Sequence, residues 1–67
     1  MIIVNVNETP LKIDKHTNVF QLLEKTNTGI DGIAVAINNK IVSKSDWEIQ
    51  QFKNNDAILI ITATQGG

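Results

Sequence analysis

Residues 33–42 read IAVAINNKIV. Through residues 33–37 branched aliphatic side chains alternate with alanine, and this period of two is typical of a β-strand. Asn38 and Asn39 follow directly. They favour a two-residue turn of a primed type, because asparagine adopts positive φ at modest cost. Since an apolar pair at 41–42 then opens a second strand, the stretch predicts a β-hairpin.

An earlier hairpin is predicted over residues 2–13. Ile2, Val4 and Val6 alternate before the polar pair Asn7 and Glu8, which is the predicted turn, and β-forming residues alternate after it at 9, 11 and 13. Pro10 lacks an amide donor and therefore favours a strand at the edge of a sheet over one at its centre.

A short helix is predicted between the two hairpins. Asn18 and Gln21 have the spacing of a capping box, in which each side chain bonds the other residue's main chain. Apolar residues at helical spacing follow over residues 19–23. These features predict about two helical turns that end near Asn27.

The last part of the chain predicts a second short helical turn and a final strand. Ser45 and Glu48 have capping-box spacing around the turn, and residues 57–63 form the strand. Because residues 58–61 are apolar without interruption, we expect both faces of this strand to be covered and its position to be central.

The predicted order is ββαββ followed by a last β-strand, which is an α+β fold. Residues 1–63 form one domain, since 67 residues leave room for a single small core. Residues 64–67 have no packing role in this scheme and are expected to be a flexible tail.

Composition narrows the classes of function. The chain is 42% apolar, has a net charge of −1 and contains no cysteine, so it predicts a globular protein without disulfides or thiol chemistry. Its six lysines are scattered, which disfavours binding to nucleic acid. Neither a signal peptide nor an 18-residue apolar run is found, so we expect a cytoplasmic protein that does not bind membranes.

Few residues before the C-terminal glycines have a spacing or grouping that indicates a catalytic, metal-binding or phosphate-binding site. His16 stands alone and is expected to be solvated, which leaves no metal site, and the carboxylates form no acid and base pair. Trp47 is expected to be an anchor in the core or at its rim. Gly29 and Gly32 lack the setting of a phosphate loop and indicate turns. We therefore expect that the chain is not an enzyme.

Gly66 and Gly67 close the sequence and carry its remaining candidate group. Without side chains they form a thin segment whose terminal carboxylate fits a narrow channel. In another protein's active site that carboxylate could attack the α-phosphate of ATP, and a sulfur nucleophile could displace the adenylate to give a thiocarboxylate. From composition alone, a frayed end without function is an equal alternative.

Longer segments resemble one family over essentially the whole chain. Residues 18–24 read NVFQLLE on the predicted helix, residues 35–42 read VAINNKIV across the hairpin, and Trp47 has a matching spacing after Val42. With the terminal diglycine, these segments are similar to the ThiS family of sulfur carriers in thiamine biosynthesis. The family has Gly where this chain has Asn55 in the turn before the last strand.

The resemblance implies a ubiquitin-like β-grasp fold, with a mixed sheet of about five strands around one helix. It also implies a role for the tail. Gly67 would be adenylated by a ThiF-type adenylyltransferase that uses ATP and magnesium, then converted to a thiocarboxylate, 1-thioglycine, with sulfur from a persulfide or sulfide source. The thiazole synthase ThiG would receive that sulfur. The chain itself would bind no cofactor.

The same resemblance gives the other tail residues a role in partner binding. Gly66 would provide clearance behind the reactive group, and Ala63, Thr64 and Gln65 would be the stem that partners grip. Thr64 and Gln65 are polar where relatives often have apolar or small residues. Since a tail alone cannot position so small a carrier, we also expect partners to use an exposed face of the sheet beside it.

Two alternatives remain at this stage. A MoaD-like small subunit of molybdopterin synthase shares the fold, the diglycine and the thiocarboxylate, but such chains are usually somewhat longer. A ubiquitin-like modifier or interaction module would use the tail for an isopeptide bond or for no covalent chemistry. A thiocarboxylate on the cellular protein favours a carrier, and lysine conjugates favour a modifier.

Overall fold

A computed structural model describes residues 1–62 of the chain. The order of elements is the predicted one, ββαββ followed by a last strand. The elements are β1 (Ile2–Val6), β2 (Thr9–Ile13), α1 (Val19–Lys25), β3 (Ile33–Ile37), β4 (Lys40–Val42), a 3-10 turn (Lys44–Asp46) and β5 (Ala57–Thr62). The end of the predicted domain at residue 63 and the predicted tail lie outside the described residues.

The five strands form one mixed sheet in the order β2-β1-β5-β3-β4. All neighbouring pairs are antiparallel except β1 and β5, which run parallel. Pro10 lies in the edge strand β2 and β5 lies at the centre, as the sequence predicts. With one helix packed on this sheet, the arrangement is the ubiquitin-like β-grasp.

Both hairpins turn through the residue pairs that the sequence predicts. Asn7 and Glu8 have φ of 48° and 71°, and Asn38 and Asn39 have φ of 50° and 71°. Positive φ at both central residues defines a type I′ turn, whose twist matches that of the flanking strands. The turn chemistry of the sequence therefore sets both hairpin registers.

The capping box at the start of α1 is confirmed. The Gln21 amide donates to Asn18 Oδ1 and the Asn18 amide donates to Gln21 Oε1, each over 2.9 Å. The helix ends at Lys25 with Thr26 as its C-cap. Asn27 follows with φ of 58°, a left-handed conformation that stops the helix close to the predicted place.

The hydrophobic core lies between α1 and one face of the sheet. Alternate strand positions point toward the helix, as the period of two requires. The buried side chains that form this core come from four strands, from α1 and from the segment between the 3-10 turn and β5, and comprise Val4, Val6, Ile13, Val19, Leu22, Leu23, Val35, Trp47, Phe52 and Ile58.

Trp47 connects the helix to the second hairpin and is confirmed as a core anchor, only 1% exposed. Its Nε1 donates to the Val42 carbonyl over 3.1 Å, and its ring packs edge-on against Phe20 at 5.5 Å between centroids. The helical turn before it begins earlier than predicted. It is capped by Ser43, whose side chain makes no capping bond, while Ser45 lies inside the turn.

The prediction that both faces of β5 are covered is wrong. Ile58 is buried on the helix side, but Leu59 and Ile61 point the other way and are 50% and 42% exposed. Within residues 1–62 there is one α-helix, and it covers one face. The central position of β5 follows from pairing on both edges, which an uninterrupted apolar run does not by itself distinguish from burial on both faces.

Candidate functional site

The predicted site residues, Ala63, Thr64, Gln65, Gly66 and Gly67, lie outside the described part of the chain. The structure does describe the strand that leads to them. β5 ends at Thr62 and pairs with β3 along its whole length, with Ile58 opposite Ile37 and Thr62 opposite Ile33. The candidate reactive segment thus follows directly from the central strand of the sheet.

The face of the sheet opposite α1 carries an exposed apolar surface beside the end of β5. Leu59 lies opposite Ala36, which in turn lies opposite Ile41, and Ile61 lies opposite Ala34. Ile41 is 68% exposed. These five residues are called the outer apolar face below; Ala36 is buried and Ala34 is half-buried, so its exposed side chains are Leu59, Ile61 and Ile41. Several large aliphatic side chains exposed together are typical of a surface that another protein covers.

A groove of about 300 Å³ lies on the other side of the same strand end. It is formed by the first hairpin turn, the end of α1 and the last residues of β5, including Asn7, Thr26, Thr28, Ile60 and Thr62. All residues that line it are uncharged. Within residues 1–62, the groove therefore offers no positive side chain to the phosphates of a nucleotide.

His16, the titratable residue named in the sequence analysis, lies away from this strand end. His16 is exposed and follows Asp14 in the loop after β2, at the end of the sheet where β1 begins. A hydrogen bond of 2.8 Å from the His16 amide to Asp14 Oδ1 is the main cause that lowers the pKa of this carboxyl. Among residues 1–62, no cluster of side chains could hold a metal ion.

Of the two glycines predicted to lie in turns, Gly32 is confirmed, whereas Gly29 lies in the loop after α1 with no turn assigned to it. Gly32 has φ of 68°, a conformation that favours glycine, and it directly precedes β3. Asn55 has φ of 72° and so takes the left-handed conformation for which the family uses glycine. No helix within residues 1–62 has the length and apolar character needed to span a membrane.

The sequence analysis missed one polar contact near the strand end. Asn7 Oδ1 accepts a hydrogen bond of 2.8 Å from the Ile60 amide. The sequence identified Asn7 as a turn residue, which is a local property. Its partner lies 53 residues away along the chain. Only the parallel pairing of β1 with β5 brings the two together, and the sequence carries no direct signal of that pairing.

One known protein family matches almost the entire sequence. The model of the ThiS family matches residues 2–67, which include the terminal glycines. The chain belongs to the ThiS family. The resemblance found in the helix, the second hairpin and the diglycine is therefore confirmed. No curated protein matches the chain.

Solved structures support the same fold. The crystal structure of the thiamine biosynthesis protein ThiS from Geobacter metallireducens matches with a TM-score of 0.81 and 22% identity, over 98% of this chain and 100% of that one. A solution structure of a thiamine biosynthesis protein from the same organism matches with a TM-score of 0.73 and 22% identity. The match covers 98% of this chain and 88% of that one. At this identity the likeness concerns the fold.

Proposed function

We propose that this chain is a sulfur carrier in thiamine biosynthesis and that its cargo is carried by the C-terminal carboxylate of Gly67. The observation that carries this proposal is the match to the ThiS family through residue 67. The β-grasp fold supports it, because the segment that contains Gly67 follows the central strand of the sheet.

The chemistry needs one carboxylate from this chain and a partner's active site. A carboxylate oxygen of Gly67 attacks the α-phosphate of ATP, pyrophosphate leaves, and an acyl adenylate forms. Sulfide attacks the acyl carbon, AMP leaves, and a thiocarboxylate remains. With a persulfide donor the first product is an acyl disulfide, which a thiol must then cleave. ATP and magnesium are bound by the ThiF-type adenylyltransferase, and the sulfur is handed to the thiazole synthase ThiG.

The outer apolar face supports binding to the adenylyltransferase. It is continuous with β5, so a protein that covers Leu59 and Ile61 also lies beside the start of the tail. Burial of aliphatic side chains favours such a complex by about 25 cal/mol per Å², from which the entropic cost of association is subtracted. The body of the carrier is thereby held while the tail enters the active site.

The described residues provide no separate argument for the two alternatives. A MoaD-like subunit and a ubiquitin-like modifier share the general fold, but the family whose model matches is ThiS. No specific contact in residues 1–62 favours transfer to a molybdopterin partner or to lysine. The sulfur-carrier function in thiamine biosynthesis is therefore the single function proposed.

The test is the intact mass of the protein after incubation with the ThiF-type enzyme, magnesium ATP and a sulfur donor. We expect one exchange of oxygen for sulfur at Gly67, and none when ATP is omitted. Gly67→Ala should abolish loading while the unfolding transition is unchanged, because the described core is formed by residues between Val4 and Ile58. Normal loading of that variant, or no mass change in a folded wild-type sample with active enzyme, would refute the proposal.

A further inference from the structure

Two asparagine side chains, one from each hairpin turn, hold the central strand β5. Asn38 Oδ1 accepts from the Ala57 amide over 3.0 Å, at the beginning of the strand. Asn7 Oδ1 accepts from the Ile60 amide over 2.8 Å, near its end, and Asn7 Nδ2 donates to the Ile60 carbonyl over 3.4 Å. Each side chain belongs to the first central residue of a type I′ turn.

Asn7 continues a ladder that the backbone alone cannot continue. The Asn5 amide donates to Asp56 and the Asn7 amide donates to Ile58, in the regular spacing of a parallel pair. The next bond of such a ladder would run from the Ile60 amide to the main-chain carbonyl of residue 7. The turn begins there, with φ of 48° at Asn7, and the side-chain carbonyl accepts that bond instead.

We infer that Asn7 is a positioning residue for the reactive tail, an inference that rests on the proposed function. By bonding Ile60, Asn7 fixes β5 on its β1 side almost to Thr62, where the described strand ends. Without this contact, the strand beyond Ile58 is held laterally by β3 alone, through pairs such as Ala34 with Ile61. The contact thereby sets the direction of β5 as it approaches Thr62, the last described residue.

This positioning matters because the tail must enter a partner's active site. A segment that is already ordered loses less conformational entropy when it binds. If β5 is loose after Ile58, the residues before the tail must be ordered during binding. That cost reduces the affinity of the carrier for the adenylyltransferase, whereas the chemical step in the seated complex is unchanged.

Asn7→Gly tests the contact itself, and Asn38→Gly is its matched control. Glycine keeps the positive φ of either turn and removes only the side-chain amide. Amide hydrogen exchange of the free protein should become faster at Ile60 in Asn7→Gly and stay unchanged there in Asn38→Gly. Unchanged exchange at Ile60 in Asn7→Gly would show that the contact does not hold the strand.

The adenylyltransferase reaction, followed by ATP-dependent release of pyrophosphate, tests the consequence. For Asn7→Gly we expect the KM for the carrier to rise about fivefold, the cost of ordering roughly one residue, with kcat unchanged. Asn38→Gly should behave like the wild type. Asn7→Asp retains the acceptor for the Ile60 amide, tolerates positive φ, and should restore part of the affinity.

The outcomes separate the positioning role from the proposed function. If the wild type loads sulfur but Asn7→Gly and Asn38→Gly have equal KM values, the positioning role is wrong and the carrier function stands. A fall in kcat at constant KM would also contradict the role. If the wild type is not adenylated by an active enzyme, both the function and the positioning role are refuted.

Discussion

Glu8 occupies the second central position of the first hairpin turn with φ of 71°. Left-handed backbone is costly for a side chain that cannot bond its own main chain, whereas Asn39 at the equivalent position of the second turn tolerates it better. Glu8 is exposed and lies beside Asn7, whose side chain holds β5. The first turn therefore carries a local strain that the second turn has largely avoided.

We predict that Glu8→Gly stabilises the protein by about 0.5 to 1 kcal/mol, because glycine adopts positive φ without steric cost and the gain exceeds its loss of chain entropy. Asn39→Gly should gain less. Urea unfolding of both variants measures the difference. Equal gains, or a loss of stability in Glu8→Gly, would contradict the assignment of strain to Glu8.

Asp14 gives a prediction about pH. The His16 amide favours the ionised carboxyl and holds its pKa below the ordinary value of 3.8. The ionised carboxyl therefore stabilises the folded protein at pH values above 3.8, and this stabilisation is lost as the pH falls through the lowered pKa of the folded state. In Asp14→Asn this pH dependence should disappear. Urea unfolding of both proteins between neutral and strongly acidic pH should show their difference changing in that window, and a constant difference would contradict it.

At the level of elements, the start of α1 combines two contacts in one residue. Asn18 caps the helix through its Oδ1, and its Nδ2 donates to the Glu48 carbonyl over 3.1 Å. The second bond ties the helix to the segment that contains Trp47. The capping box was predicted from the sequence because it is local, but the bond to Glu48 spans 30 residues and was not.

We predict that Asn18→Ala lowers the free energy of unfolding by at least about 1 kcal/mol, since it removes a cap and the long-range bond together. Gln21→Ala removes only the reciprocal bond to the Asn18 amide and should cost less. Urea unfolding followed by far-UV circular dichroism measures both. A larger loss in Gln21→Ala would show that Asn18 does not have the double role.

The strands show where sequence patterns succeed and fail. Both type I′ turns and the edge position of Pro10 follow from local chemistry, and all were predicted correctly. The exposure of Leu59 was not predicted. A continuous apolar run fits a strand that is buried on two faces, and it fits equally a strand that is buried on one face and exposes a binding surface on the other. Hydrophobicity measures the tendency to be covered and does not identify what covers the residue.

At the scale of the whole molecule, two exposed apolar residues lie in different places. Leu59 belongs to the outer apolar face, while Ile49, 75% exposed, lies in the segment after the 3-10 turn. Neither residue is part of the core. Substituting each of these aliphatic residues by the same amino acid therefore tests whether its location on the surface affects function.

We predict that Leu59→Lys and Ile49→Lys each change the free energy of unfolding by no more than about 1 kcal/mol. Only Leu59→Lys should weaken adenylation, by about tenfold in kcat/KM, because it places a charge in the surface proposed to bind the adenylyltransferase. Initial rates with purified enzyme measure this. Equal effects, or none in Leu59→Lys, would argue against docking on the outer apolar face.

The central place of β5 has a consequence for how the molecule is made on the ribosome. β5 is the last described element to be synthesised, yet β1 and β3 have no common neighbour until it inserts between them. Before that, the nascent chain holds two separate two-stranded hairpins, and such hairpins are marginally stable in water. Translation that stops early should therefore leave unfolded, protease-sensitive fragments, so that only molecules which already carry the strand leading to the tail persist in the cell.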